Sequence, residues 1–160
     1  MMIDLDLLKD DFSAAADQLG IDGWPCPLQC QKVGAPHRQA GLPAGFGAVY
    51  AYALSAGTTS AAGAGTVLKV GKAGPNSDAR FRSQHYTTSA GSTLAKSLLK
   101  NRILWRWLGI EHLDETTVKA WMLTNLDRIN IFVPAESPLV LNELEKYVRA
   151  RIGSVFEGSA

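Results

Sequence analysis

Three groups of residues in this 160-residue chain have the types and spacing that chemistry requires. The first is Cys26, Cys30 and His37, a C-x3-C-x6-H run that suggests zinc. A structural zinc site takes four nitrogen or sulfur ligands. The other histidines, His85 and His112, stand far along the chain, so two ordinary thiols in a loop are the simpler reading. The second is Gly71-Lys72 after an apolar run, which suggests a phosphate-cradling P-loop. It fails on spacing, because five residues separate Gly65 from Gly71 where four are needed, and Ala73 stands where the Mg²⁺-binding hydroxyl belongs. The sequence contains no G-x-S-x-G nucleophile elbow. The third group is a run of cations. From Lys69 to Arg106, eight bases (Lys69, Lys72, Arg80, Arg82, Lys96, Lys100, Arg102 and Arg106) meet one acid, Asp78, for a net +7. The whole chain nets +1, which leaves −6 elsewhere. Such a segment suits a phosphate-binding surface, since Lys and Arg supply most of the non-specific affinity for nucleic acid. The alternative is a set of helices that simply expose long basic side chains to water.

These residues need elements to hold them. Residues 4–19 repeat Leu5, Leu8, Phe12, Ala16 and Leu19 at helical spacing, and Gly20 is a natural stop. Residues 21–45, with Pro25, Pro27, Pro36 and Pro43, read as a connector. Residues 46–54 alternate as a strand, with Tyr50, Tyr52 and Leu54 on one face, and residues 66–72 form a second, β-branched strand. The Gly/Ala/Ser/Thr-rich stretch between them suits a mobile loop in an antiparallel hairpin. Asn76 or Ser77 is placed to cap a short helix to about Tyr86. A longer helix is expected over residues 92–108, with Leu94, Leu98, Trp105 and Leu108 as its stripe. Thr116 or Thr117 opens another helix, residues 128–133 alternate as a third strand, and Ser137-Pro138 begins a last helix that Gly153 ends. The pattern is α+β. On the last helix Leu141, Leu144, Val148 and Ile152 form the apolar stripe. At 100° per residue Glu145 borders that stripe and Glu143 lies opposite it. Of the two carboxylates, Glu145 is the one able to reach a site inside the domain.

With Gly47-Ala48-Val49-Tyr50 on the first strand, Lys69-Val70-Gly71-Lys72-Ala73 on the second, Arg80 on the next helix and Glu145 on the last, the chain resembles the GIY-YIG nuclease family. The resemblance covers roughly residues 44 to 158. It implies a small three-stranded, mostly antiparallel sheet flanked by helices, and a divalent-metal-dependent endonuclease that hydrolyses DNA phosphodiester bonds. It implies that Tyr50 activates or orients the attacking water, that Lys72 places a cation near Tyr50, and that Arg80 grips the scissile phosphate. Glu145 would hold Mg²⁺ or Mn²⁺. His85 and Tyr86 fall where many members put a further phosphate-facing group, and Lys69, Arg82, Lys96 and Lys100 complete the expected nucleic-acid contacts. The chain departs from the pattern in reading Lys69 for the second triplet's tyrosine and Glu157 for an asparagine. The set matches what phosphodiester hydrolysis needs: a hard cation on the phosphoryl oxygens, a guanidinium for their charge, and a group poised at the incoming water.

Two units are expected, residues 1–43 as an N-terminal helix and connector and residues 44–160 as the nuclease-like domain. The 46% apolar content supports a core. The acidic start lacks the basic n-region of a signal peptide, and no apolar run is long enough to span a membrane, so the cytoplasm is the expected location. The expected partner is DNA, with residues 1–43 free to contact a second copy or another protein. The competing reading is a catalytically weak nucleic-acid-binding module on the same fold, and a third is a small regulatory protein whose Cys26 and Cys30 bind metal.

Overall fold

The computed structural model describes residues 29–134 and 138–156, together with Asp10. The expected helix over residues 4–19, Cys26, the Ser137 cap and Glu157 lie outside the described residues.

The hairpin forms as expected from β2 (Phe46–Leu54) and β3 (Val67–Ala73), paired antiparallel. On the other side of β2 lies β4 (Leu126–Pro134), also antiparallel. The sheet has a fourth strand, β1 (Gln29–Val33), which pairs antiparallel with β4 and gives the order β1-β4-β2-β3. The three-stranded sheet expected from the resemblance is therefore corrected to four. The added strand comes from the stretch read as a connector. Its sequence, Gln-Cys-Gln-Lys-Val, gives no apolar alternation because it is an edge strand with no buried residue, and periodicity reports only faces that are buried.

The period-2 alternation of β2 sorts its side chains into two cores. Ala48, Tyr50, Tyr52 and Leu54 face one way, and Val49, Ala51 and Ala53 the other. The second face is covered by the last helix through Val140, Leu141, Leu144 and Val148. The first is covered by four short helices: α1 (Asp78–Arg82), α2 (Leu94–Lys100), α3 (Trp105–Leu108) and α4 (Val118–Asn125). These bring Phe81, Leu94, Leu98, Leu108 and Met122 onto the tyrosines. The last helix is α5 (Pro138–Ile152). Among the described residues, no helix is long and apolar enough to cross a membrane.

Two local expectations change. The helix expected over residues 92–108 is broken at Asn101, whose side-chain amide donates to the Ser97 carbonyl at 2.7 Å. A 3-10 turn, Arg102–Leu104, then re-aims the chain into α3. Asparagine competes with the helical ladder in this way wherever its side chain can reach the backbone. The loop expected to be mobile is tied to the helices instead. The Ser60 hydroxyl and the Ala62 N–H both donate to the Trp107 carbonyl, at 2.8 and 3.1 Å, and the Ser55 N–H donates to the Asn125 carbonyl at 3.0 Å. Small side chains permit this approach. At Gly109, where φ is +78°, an added Cβ would lie 2.5 Å from the Thr59 carbonyl oxygen.

The end of the described chain runs along the outer edge of β3. The Val155 and Phe156 N–H groups donate to the Val67 and Leu68 carbonyls at 3.0 and 2.9 Å, which occupies backbone groups that an edge strand otherwise leaves open. Because the apolar stripe of α5 packs it onto the sheet, Leu144→Ala at a fully buried position is expected to destabilise the protein by about 2–5 kcal/mol, as read from urea unfolding.

Candidate functional site

Tyr50 on β2 lies directly across from Gly71 on β3. Opposed residues in an antiparallel pair point to the same face, so the tyrosine ring lies over the glycine. A Cβ on Gly71 would fall 2.8 Å from Tyr50 Cε2 and 2.9 Å from its hydroxyl oxygen. The glycine of Val70-Gly71-Lys72 is there for room, not for an unusual backbone angle. Gly47 makes similar room beneath α5, where a Cβ would lie 2.9 Å from the Ala73 carbonyl oxygen and 3.2 Å from Leu141 Cδ2.

The Tyr50 hydroxyl is held from behind by His85, with 2.7 Å between Oη and Nε2. His85 is fully buried, and its Nδ1 accepts the Leu94 backbone N–H at 3.2 Å. Burial, together with the nearby cations Arg80, Lys69 and Arg128, pushes the imidazole pKa down to about 3, so the ring is neutral at ordinary pH. A neutral imidazole that accepts at Nδ1 carries its proton on Nε2, so Nε2–H donates to the Tyr50 oxygen. Burial raises the Tyr50 pKa to about 12, against the opposing pull of Arg80 and Arg128. At neutral pH Tyr50 is thus a buried phenol whose oxygen accepts from His85.

The charge of Arg80 acts on that hydroxyl and opposes the rise in its pKa. The Arg80 guanidinium donates to the Gly91 and Ser92 carbonyls at 3.2 and 3.4 Å, which fixes its head against the α1–α2 connection. Lys69 is almost wholly buried. Burial, then Arg80 and Arg149, lower its pKa, while Glu145 opposes them. Glu145 is 9% exposed at the border of the α5 stripe, the position its helical angle predicts, whereas Glu143 turns outward to Lys146 at 3.3 Å. Both Glu145 oxygens are engaged: Arg149 lies 3.1 Å from Oε1 and Lys72 lies 3.4 Å from Oε2. Tyr50 and Lys69 share one face of the sheet with Arg80 beside them on α1, Glu145 comes from α5 over the opposite face, and the charges of Arg80 and Glu145 both act on Tyr50 and Lys69.

Other expected residues sit elsewhere. Lys72 pairs with Val49, not Tyr50, so it points to the opposite face of the sheet and donates to Asn142 Oδ1 at 2.5 Å. The cations that act on Tyr50 are Arg80 and Arg128. His85 and Tyr86 are 0% and 1% exposed and do not face solvent phosphate. The Tyr86 hydroxyl donates to His37 Nε2 at 2.6 Å, while His37 Nδ1–H donates to the Leu126 carbonyl at 2.6 Å. Both His37 nitrogens are thereby committed to the fold, which leaves neither for the zinc site that C-x3-C-x6-H suggests. Arg82 pairs with Asp78 at 2.5 Å, and Asp78 accepts the Leu42 N–H at 2.8 Å, so this pair fastens the preceding connector. Lys96 and Lys100 are exposed and line a groove of about 440 Å³ with Ser92, Ser97, Asn101 and Phe156. Ser92 links that groove to Arg80.

Arg128 is the functional residue that the sequence reading missed. It is buried, with its guanidinium carbon 4.1, 5.1 and 5.2 Å from the ring centroids of Phe81, Tyr50 and Tyr52. Its Nε donates to Asn130 Oδ1 at 2.9 Å and its Nη2 to the Phe81 carbonyl at 2.5 Å. The signal was available: Arg128 and Asn130 alternate on the inward face of β4, where apolar residues are the rule.

For a divalent ion the donor set is one hard carboxylate, and no cluster of three ligand side chains exists among the described residues. A single carboxylate is a donor set that would suit Mg²⁺ or Mn²⁺, which keep several waters. Comparison of the chain with protein-family models, with characterised proteins and with solved structures finds no match.

Two predictions follow from the packing around Tyr50. Gly71→Ala is expected to destabilise by about 1–3 kcal/mol, whereas Gly57→Ala, where a Cβ meets open space, should stay within about 0.5 kcal/mol. The comparison is read by urea unfolding. The second concerns acid. His85 binds a proton in the unfolded chain below its ordinary 6.5 but in the folded protein only near 3. Stability is therefore fully present above pH 6.5 and declines as pH falls from there toward 3. The buried His37, whose pKa is also lowered, adds to the decline. Denaturant unfolding at pH 7 and at about pH 4.5 should show a smaller loss for His85→Gln than for wild type.

Proposed function

We propose that this protein is a divalent-metal-dependent endonuclease that hydrolyses DNA phosphodiester bonds, with a site arranged like that of the GIY-YIG nucleases. The observation that carries the reading is the convergence of Tyr50, Lys69, Arg80 and Glu145. They come from β2, β3, α1 and α5 and are spread over 96 residues of sequence, yet the charges of Arg80 and Glu145 both act on Tyr50 and on Lys69. Cations outnumber the one carboxylate there, so the site is built for an anion, and a phosphodiester supplies the missing negative charge.

In this reading Arg80 grips a non-bridging phosphoryl oxygen with a guanidinium already pinned by the Gly91 and Ser92 carbonyls. A pre-oriented donor needs no reorganisation when charge develops. Lys69, desolvated among cations, gives its ammonium a second contact to the same anion. Tyr50 points its phenol proton at the reacting oxygens while His85 holds its oxygen from behind, a role of orienting rather than of abstracting a proton, because a neutral phenol held near pKa 12 is a weak base. Glu145 holds the Mg²⁺ or Mn²⁺, which when bound polarises the phosphoryl group.

A second reading, a nucleic-acid-binding module without catalysis, draws on the two ion pairs that already occupy Glu145. One experiment separates them. With Mg²⁺ or Mn²⁺ the wild-type protein is expected to nick supercoiled plasmid. Arg80→Ala and Glu145→Gln should each lower the rate by roughly a hundredfold or more, and Tyr50→Phe, which removes the hydroxyl, by less. Retarded migration of plasmid with no nicking under either metal would favour the binding module, and equal nicking by wild type and Glu145→Gln would remove Glu145 from the reaction.

A further inference from the structure

The α2–α3 connection carries a feature that the proposed site does not use. Ile103 is 91% exposed, and Trp107, one helical turn later, is 39% exposed. Isolated apolar side chains on a surface are ordinary, but these two are set among exposed Lys100, Arg102 and Arg106, and residues 79–110 contain no acid at all. An apolar tip ringed by cations does not suit water, and it does not suit a second apolar surface, which would have to desolvate the charges.

The tip is also rigid. The Trp105 indole N–H donates to the Leu98 carbonyl at 2.7 Å, and the Arg102 guanidinium stacks over the Trp105 ring with 5.5 Å to its centroid. Leu108 is fully buried, and the Trp107 carbonyl is fixed by Ser60 and Ala62. The turn created by the break at Asn101 is therefore a braced projection. It is also continuous with the site: the groove that begins at Ser92 beside Arg80 runs past Lys96 and Lys100 to Asn101, and the next two residues are Arg102 and Ile103.

We infer that Ile103 is an apolar wedge that presses on a base step of duplex DNA while Arg102 and Arg106 hold the flanking phosphates. This inference rests on the proposed function and names the form of its substrate. An aliphatic side chain has no hydrogen bonds to offer bases. What it does well is fill the gap of a partly unstacked step, which kinks the duplex and brings more of it onto the protein. Cations on either side hold the bent backbone in place, and the groove along α2 guides one strand toward Arg80.

The test is binding of a duplex labelled at both ends with a fluorescent donor and acceptor, in EDTA so that nothing is cleaved, at several salt concentrations. For wild type, transfer efficiency should rise on binding as the ends approach. Ile103→Ala should lose this rise and weaken binding by about tenfold with the salt slope unchanged, and Ile103→Leu should restore both. Arg102→Ala and Arg106→Ala should each flatten the slope by about 0.9. All three positions of change are on the surface, and circular dichroism checks that the variants fold. If wild type binds duplex and Ile103→Ala binds and bends it equally, the wedge is wrong and the proposed function stands. If wild type neither binds nor cleaves DNA, the proposed function fails and the wedge with it. If Ile103→Ala instead changes the mass seen in gel filtration and leaves DNA binding intact, the tip is a contact between copies of the chain, and the wedge is overturned.

Discussion

A guanidinium with no carboxylate partner lies at the centre of this protein, and much of the structure is an answer to it. Arg128 stacks on Phe81, Tyr50 and Tyr52, and among the described residues no acid pairs with it. An unpaired charge in a low-dielectric core costs several kcal/mol unless other groups solvate it. Three aromatic faces, the Asn130 side chain and the Phe81 carbonyl take that role, since ring faces attract cations most strongly when water is excluded. The arrangement orders its neighbours in turn. Tyr50 must present its ring to Arg128 on one side and to Gly71 on another, so its hydroxyl has one direction left. Burial above all, with Arg80, Lys69 and Arg128 adding to it, keeps His85 neutral, so it remains a donor behind that hydroxyl.

The nearly balanced charge of the whole chain conceals this design. An average of +1 argues against a nucleic-acid partner, but the bases are gathered between Lys69 and Arg106. The fold divides that run between different tasks. Arg82 is spent on Asp78 and the connector, Lys72 on α5, Arg102 and Arg106 stand beside Ile103, and Lys69, Arg80, Lys96 and Lys100 remain for the site and its groove. The cation that matters most inside the core, Arg128, lies outside the run altogether. A segment's charge gives the sign of a surface; the pairing register decides which of its members reach that surface.

Register also explains what was legible in the sequence. The β2–β3 hairpin, β4 and α5 were readable because each buries one face against a core, and burial writes a period into the chain. The choice of Glu145 over Glu143 followed from the same logic, since a 100° step per residue is a geometric fact that needs no partner to be known. Lys72 was misjudged because adjacency in sequence to Gly71 suggests adjacency to Tyr50, whereas alternate residues of a strand lie on opposite faces. His85 was named but assigned to phosphate: a histidine on a short helix gives no sign of whether it faces in or out. Strand β1 and the break at Asn101 were hidden for a common reason, as each depends on a few local hydrogen bonds and not on a buried stripe.

Glu145 is the point at which these constraints meet. In the free protein its two oxygens neutralise Lys72 and Arg149, and Lys69, Arg80 and Arg128 are left with no acid of their own. Burial lowers the proton affinity of Lys69 most, and the cations Arg80 and Arg149 add to it. A phosphodiester entering beside Arg80 would oppose the cations, by adding negative charge where the excess is positive. In the proposed reaction a divalent ion held by Glu145 would have to displace Lys72 and Arg149, and a bound phosphodiester would supply the negative charge that eases this. A single carboxylate suffices for the metal on these terms because the substrate contributes the rest of the site.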